Sequence, residues 1–329
     1  MATYKGIQGF TIQNLSADPS NPIEGQVWYN STSNVWKVEE ATTAGAWATA
    51  NNMNTARFQL GGAGTQTAAL AAAGYIDPPY SDATEEYDGT SWASSNPTNT
   101  ARARLAAAGT QTAGLAFGGE IAGGATTGAT EEYDGNSWTS NPTGLNTVRR
   151  LLAGAGTQTA ALAFGGTTGT PPDTGATEEY DGSTWTSSPG SLNTVRRYFA
   201  GCGIQTAALG FGGIDTAPTG ATEEYNGTSW ATSNPLNTAR NGLGGAGTQS
   251  SALAFGGGPP PFKTETELYD GTSWTSNPTG LNTARAGVGA AGTTAVALAF
   301  AGDPPVAGST TTEEWTGPGA PLTQTITVS

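Results

Sequence analysis

Residues 149–193 read R-R-L-L-A-G-A-G-T-Q-T-A-A-L-A-F-G-G-T-T-G-T-P-P-D-T-G-A-T-E-E-Y-D-G-S-T-W-T-S-S-P-G-S-L-N, and the chain then begins the same phrase again. Four apolar or alternating runs stand in it, separated by G-T-Q, a Pro/Gly loop and Asp181-Gly182. Glycine interrupts every few residues and no apolar period of 3.6 survives, which excludes helix. Each unit therefore reads as four short strands. The third and fourth are joined at Asp-Gly or Asn-Gly, which supply the positive φ of a tight hairpin.

The phrase recurs about every 45 residues. Its Trp falls at Trp47, Trp92, Trp138, Trp185, Trp230 and Trp274, and its Arg at Arg57, Arg102, Arg149, Arg196, Arg240 and Arg285. The aromatic before the Trp is Tyr87, Tyr133, Tyr180, Tyr225 and Tyr269, with Trp315 in that place at the end. Six four-stranded units, none able to bury both faces alone, predict an all-β propeller of six blades. The last unit stops at its third strand near Trp315, while a spare S-W-T-like strand around Trp47 precedes the first Arg. An N-terminal strand completing the last blade would close the ring.

These residues resemble kelch repeats: an apolar run ending in Gly-Gly, then Glu-x-Tyr-Asp, a Trp shortly after, and an Arg opening the next unit. The pairs are Gly118-Gly119, Gly165-Gly166, Gly212-Gly213 and Gly256-Gly257, weakened to Ala73-Gly74 and Ala301-Gly302. The resemblance covers roughly residues 46–317 and departs from the family in its high Ala, Gly and Thr content. It implies a propeller with a taste for protein or glycan partners and fixes no activity.

The sequence divides into residues 1–40, residues 41–317 and residues 318–329. In the first, Gly25 to Asn30 and Asn34 to Val38 read as a separate small hairpin after turns at Asp18-Pro19 and Asn21-Pro22. The wording G-Q-V-W-Y-N-S-T-S-N-V-W-K-V resembles segments of bacteriophage virion and tail-fibre proteins. That likeness implies a virion protein made in a host cytoplasm, with residues 1–40 and 318–329 attaching it to other virion proteins or sister subunits. The alternation from Leu322 to Val328 is strand-like, suited to pairing with the hairpin or with another subunit.

Composition narrows the chemistry. A net charge of −14 disfavours nucleic acid and anionic membranes, and no apolar run is long enough to span a bilayer. The N-terminus lacks the basic-then-apolar pattern of a secretory signal. With no histidine and one cysteine, Cys202, neither a Cys/His metal site nor a His-based triad can be assembled. No cofactor is expected; Ca²⁺ at Asp77, Asp82, Asp173, Asp215 or Asp303 stays open.

Carboxylates are the remaining catalytic option. The doublets Glu85-Glu86, Glu131-Glu132, Glu178-Glu179, Glu223-Glu224 and Glu313-Glu314 cannot be facing acid and base, because neighbours in a strand point to opposite faces. Glu85, Glu131, Glu178, Glu223, Glu267 and Glu313 share the face of the aromatic and are expected to pair with the six Arg, since an unpaired buried guanidinium is costly. The second Glu of each doublet, replaced by Leu268 in the fifth unit, is expected on a solvated face. The six Trp are expected to pack blades.

Recognition is expected on the loops that follow the second strands, which differ in every unit while the G-T-Q and Asp-Gly turns stay nearly constant. Tyr75, Tyr80, Phe262, Lys263 and Asp303 are the candidate binding residues there, for a host-surface glycan or a protein partner. Two other functions are compatible with the same residues: a carboxylate-dependent glycan hydrolase or lyase in the central channel, and an intracellular kelch-type protein scaffold.

Overall fold

A computed structural model of the chain describes residues 13–19, 26–41, 44–76, 80–169, 173–303, 308–319 and 321–326. They form two compact units, one spanning Ala46–Thr316 and the other gathering the described residues from the two chain ends. No helix occurs among them.

The larger unit contains six antiparallel sheets of four strands. The first is Gly61–Thr65, Ala68–Tyr75, Tyr80–Tyr87 and Trp92–Ser95; the next begins at Ala106–Thr110, and the pattern repeats through Gly244–Thr248. The sixth combines Gly289–Gly292, Val296–Phe300 and Thr312–Thr316 with Ala46–Ala50 from the front of the chain. In that last pairing Trp315 faces Trp47 and Glu314 faces Ala48. The spare strand fills the blade that lacks one. The innermost strands touch in order around the ring, and Gly289–Gly292 returns to Gly61–Thr65. The fold is a closed six-bladed β-propeller.

Six buried clusters, one between each pair of neighbouring blades, form its core. Met53, Trp92, Leu298 and Phe300 fill the interface between the last blade and the first. Each repeat Trp reaches back with its indole N–H to a threonine of the preceding blade, as Trp138 does to Thr84 at 2.9 Å and Trp47 to Thr266 at 2.9 Å. The Gln of G-T-Q donates to two carbonyls of the preceding blade, Gln158 to Gly114 and Tyr133. The Asn of N-T donates forward, Asn146 to the Trp185 carbonyl and Asn282 to that of Trp47. The repeated letters are thus the groups that satisfy backbone polarity where sheets abut.

The six Arg–Glu pairs lie within blades, at Arg57–Glu85, Arg102–Glu131, Arg149–Glu178, Arg196–Glu223, Arg240–Glu267 and Arg285–Glu313. All six guanidiniums are fully buried. Arg149 also donates to the Ala163 carbonyl, and Glu178 accepts the backbone N–H groups of Asn146 and Thr147. Burial pushes Arg57, Arg149 and Arg285 down to about 10, and the facing glutamate opposes that shift. The Nε of each of the six has no hydrogen-bond partner.

One expectation is corrected. The second Glu of each doublet is not on a solvated face: it accepts the phenol of the next blade's tyrosine, Tyr133 to Glu86, Tyr180 to Glu132, Tyr225 to Glu179, Tyr269 to Glu224 and Tyr87 to Glu314. Closing the ring brings the outward side of one sheet against its neighbour, so neither face is left to water. The Asp-Gly turn spans four residues between the paired Tyr87 and Trp92. Gly89 has φ 88, while the Asp88 carboxylate accepts the N–H groups of Thr90 and Ser91, which holds its pKa down.

The smaller unit is a sheet in which Gln13–Leu15 runs parallel to Val27–Asn30, followed by Val35–Ala41 and the C-terminal Pro321–Ile326. Buried Trp28 and Asn30 and half-buried Lys37 all donate to Asp18, and the Lys37 bond leads in holding that carboxyl down at about 2.

Candidate functional site

The loops after the second strands open beside the axis of the propeller. Each pairs with the segment just after a repeat Arg: Phe58 with Tyr75, Ala103 with Glu120, Arg150 with Thr167, Arg197 with Ile214, Asn241 with Gly258 and Ala286 with Asp303. One residue further along, the backbones join to one another. Arg104 donates to Gln59, Leu151 to Arg104, Tyr198 to Leu151, Gly242 to Tyr198, Gly287 to Gly242, and Gln59 to Gly287, at 2.7–2.8 Å. This is a closed annulus of six hydrogen bonds around the channel mouth. All six residues have φ between 53 and 61, the left-handed region. Two are glycine and the other four carry that strain, of order 1 kcal/mol each, against a hydrogen bond at every step.

Six equivalent positions thus carry Gln59, Arg104, Leu151, Tyr198, Gly242 and Gly287, although the backbone requires the same of each. Tyr198 leans over the glycines: a Cβ on Gly242 would stand 2.6 Å from the Tyr198 ring, and one on Gly287 3.0 Å from its hydroxyl oxygen. Burial raises the Tyr198 pKa most; the Gln59 hydrogen bond and Arg104 lower it, and Asp303 raises it. A cavity of about 90 Å³, open to solvent, is lined by the annulus and by Leu60, Leu105, Leu152, Phe199, Leu243 and Val288. Below that, the channel wall is largely Gly and Ala from the innermost strands.

Beside the annulus, Glu120 is buried and accepts three donors: Tyr80, Arg104 at 2.7 Å, and Arg150. Arg104 also donates to Gln59 through Nε at 3.0 Å, and Arg197 pairs with Asp173 at 2.6 Å. Burial lowers the Arg150 pKa, and the charges of Arg104 and Arg197 lower it further.

The five candidate binding residues do not share one site. Tyr75 meets both Tyr80 and Phe58 edge to face, each at 5.2 Å between ring centroids. Phe262 covers Gly258, and Lys263 pairs with Glu265 at 3.6 Å, both on the fifth blade. Asp303 exchanges backbone hydrogen bonds with Ala286 on the sixth. Among the described residues no three His, Cys, Asp or Glu are grouped as metal ligands, and Asp77 lies outside those residues. Glu120, Arg104, Arg150, Arg197 and Tyr198 are additional to the sequence candidates. For the arginines and Tyr198 the signal in the sequence is variation one or two residues after the invariant Arg, a place the strand pattern makes look like scaffold; Glu120 instead opens the variable loop after Gly118-Gly119.

The sequence matches no protein-family model and no curated protein.

Proposed function

We propose that the chain is a non-enzymatic virion protein of a bacteriophage, a tail-fibre, tail-tip or head-decoration component on a kelch-like propeller, that binds a host-surface glycan through its variable-loop face. One observation carries this reading. The recurring Arg, Glu, Trp, Gln, Asn and Tyr are spent on contacts within and between blades, whereas the equivalent positions around one mouth differ from blade to blade. A uniform frame with unlike residues at one end suits recognition. The repeat glutamates are held by guanidinium, backbone N–H or phenol groups, and the channel wall offers Gly and Ala, so hydrolysis in the channel has no feature in its favour.

The smaller unit, whose Val27–Val38 hairpin carries the phage-like wording, attaches the propeller to the particle or to sister subunits. Electron microscopy of particles labelled with an antibody against the chain tests the virion assignment: decoration of one fixed location is expected, and absence of label from every virion overturns it. A glycan array with the purified chain tests recognition, and binding to a host protein with no glycan signal would move the assignment to a protein scaffold.

A further inference from the structure

The chain has twelve Lys and Arg. Six are the buried repeat arginines, and Lys5 and Lys37 precede the propeller. The four left on the propeller are Arg104, Arg150, Arg197 and Lys263. Three of these four, on consecutive blades, stand at the same mouth: Arg104 in the annulus, Arg150 sharing the Glu120 oxygen with it, and Arg197 next to Tyr198. In a molecule of net charge −14, three of the four propeller cations outside the repeat ion pairs have been gathered at one mouth.

The scaffold does not demand this. At the corresponding places the other blades carry Phe58, Asn241 and Ala286, or Gln59, Gly242 and Gly287, and the annulus closes all the same. Nor do the partners use up the guanidiniums. Each has five N–H donors; three such groups face the two carboxylates of Glu120 and Asp173, and the buried Arg150 Nε has no partner. On the opposite side of the mouth stands Asp303, whose charge reaches Tyr198.

Building on the glycan-binding reading, we infer that the channel mouth is a site for a saccharide bearing a carboxylate, a uronic or sialic acid, held by Arg104, Arg150 and Arg197. The fork of a guanidinium matches a carboxylate in two-point contact. Tyr198, whose phenol end reaches both annulus glycines, brings an aromatic ring and a hydroxyl to the same mouth for a sugar ring. The negative charge of Asp303 repels a second carboxylate, which favours a sugar with one acidic group over a run of acidic residues in a peptide. The cavity of about 90 Å³ has room for the acidic end of one residue, not for a whole oligosaccharide.

The test is calorimetric titration of the full chain with sialic- and uronic-acid-terminated oligosaccharides, their carboxyl-reduced counterparts, and a Glu-rich peptide. Arg104→Gln and Arg197→Gln are compared with Lys37→Gln, a loss of positive charge in the smaller unit, and unchanged thermal unfolding certifies that each variant is folded. Expected are binding of at least one acidic saccharide, loss of at least tenfold on carboxyl reduction, a similar loss in both arginine variants, none in Lys37→Gln, and weakening by salt. If reduced and acidic saccharides bind equally, or folded arginine variants bind as wild type does, the acidic site is wrong while glycan recognition stands. Stronger binding of the peptide than of any saccharide overturns the inference in favour of a protein ligand. No binding of any saccharide, charged or neutral, overturns both readings.

Discussion

Leu268 packs beside Trp315 at the one blade interface where neither the glutamate nor the tyrosine of the repeat is present. At the five other interfaces a phenol donates to a carboxylate of the preceding blade. Here both members have changed together, and the indole N–H of Trp315 turns instead to the Thr294 carbonyl at 2.9 Å. A carboxylate without its phenol, or a phenol without its carboxylate, would leave a half-buried polar group poorly matched.

Leu268→Glu alone should therefore cost about 1–2 kcal/mol, because it places a carboxylate against a ring that offers it no hydroxyl. Trp315→Tyr alone should also destabilise. The double variant should recover about 1 kcal/mol relative to the sum of the two, measured as a cycle in urea unfolding. Strict additivity would show that the two sites are not coupled.

The buried ion pairs predict a different pattern. Arg149→Met leaves Glu178 charged and buried with only backbone donors, at a cost of about 3–5 kcal/mol. Arg149→Met combined with Glu178→Leu removes both charges and should be less damaging than Arg149→Met alone, despite freeing the Asn146 and Thr147 N–H groups. A double variant less stable than the single one would mean that the glutamate matters chiefly as a cap for those amides.

Closure rests on Trp47, which contacts Phe255 at 4.8 Å and Trp315 at 5.3 Å between ring centroids. Trp47→Ala should cost about 3–5 kcal/mol. Hydrogen exchange should then speed up first in Thr312–Thr316, whose edge Ala46–Ala50 covers, while Thr177–Tyr180 keeps its protection. Uniform loss of protection around the whole ring would contradict a local seam.

Alkaline stability follows from the interface tyrosines. Burial raises Tyr133 and Tyr269 to about 12, with Glu86 and Glu224 adding to it, and burial likewise raises Tyr225 to about 12. Between their ordinary value of 10 and about 12 the unfolded chain loses protons that the folded one keeps. Stability is then fully present below pH 10 and falls as pH rises toward 12. Tyrosinate absorbance from these residues should appear together with loss of the circular dichroism of the sheets. Complete tyrosinate formation in a protein that keeps its sheet signal would exclude the phenol–carboxylate contacts.

The period, the number of blades and the closing strand were legible in the sequence alone, because each is a local necessity repeated. A short sheet needs Asp-Gly, G-T-Q and an aromatic at fixed offsets wherever it stands, and a missing strand at one end matched a spare one at the other. Tertiary structure alone decided which unlike residues meet. Tyr133 reaches Glu86, and Gly287 joins Gln59 across the seam of the ring. Arg104 and Arg150 converge on one carboxylate of Glu120 for the same reason. These partners lie far apart along the chain, and their adjacency arises only when the sheets lean together in a circle, an arrangement that strand alternation within one repeat does not encode.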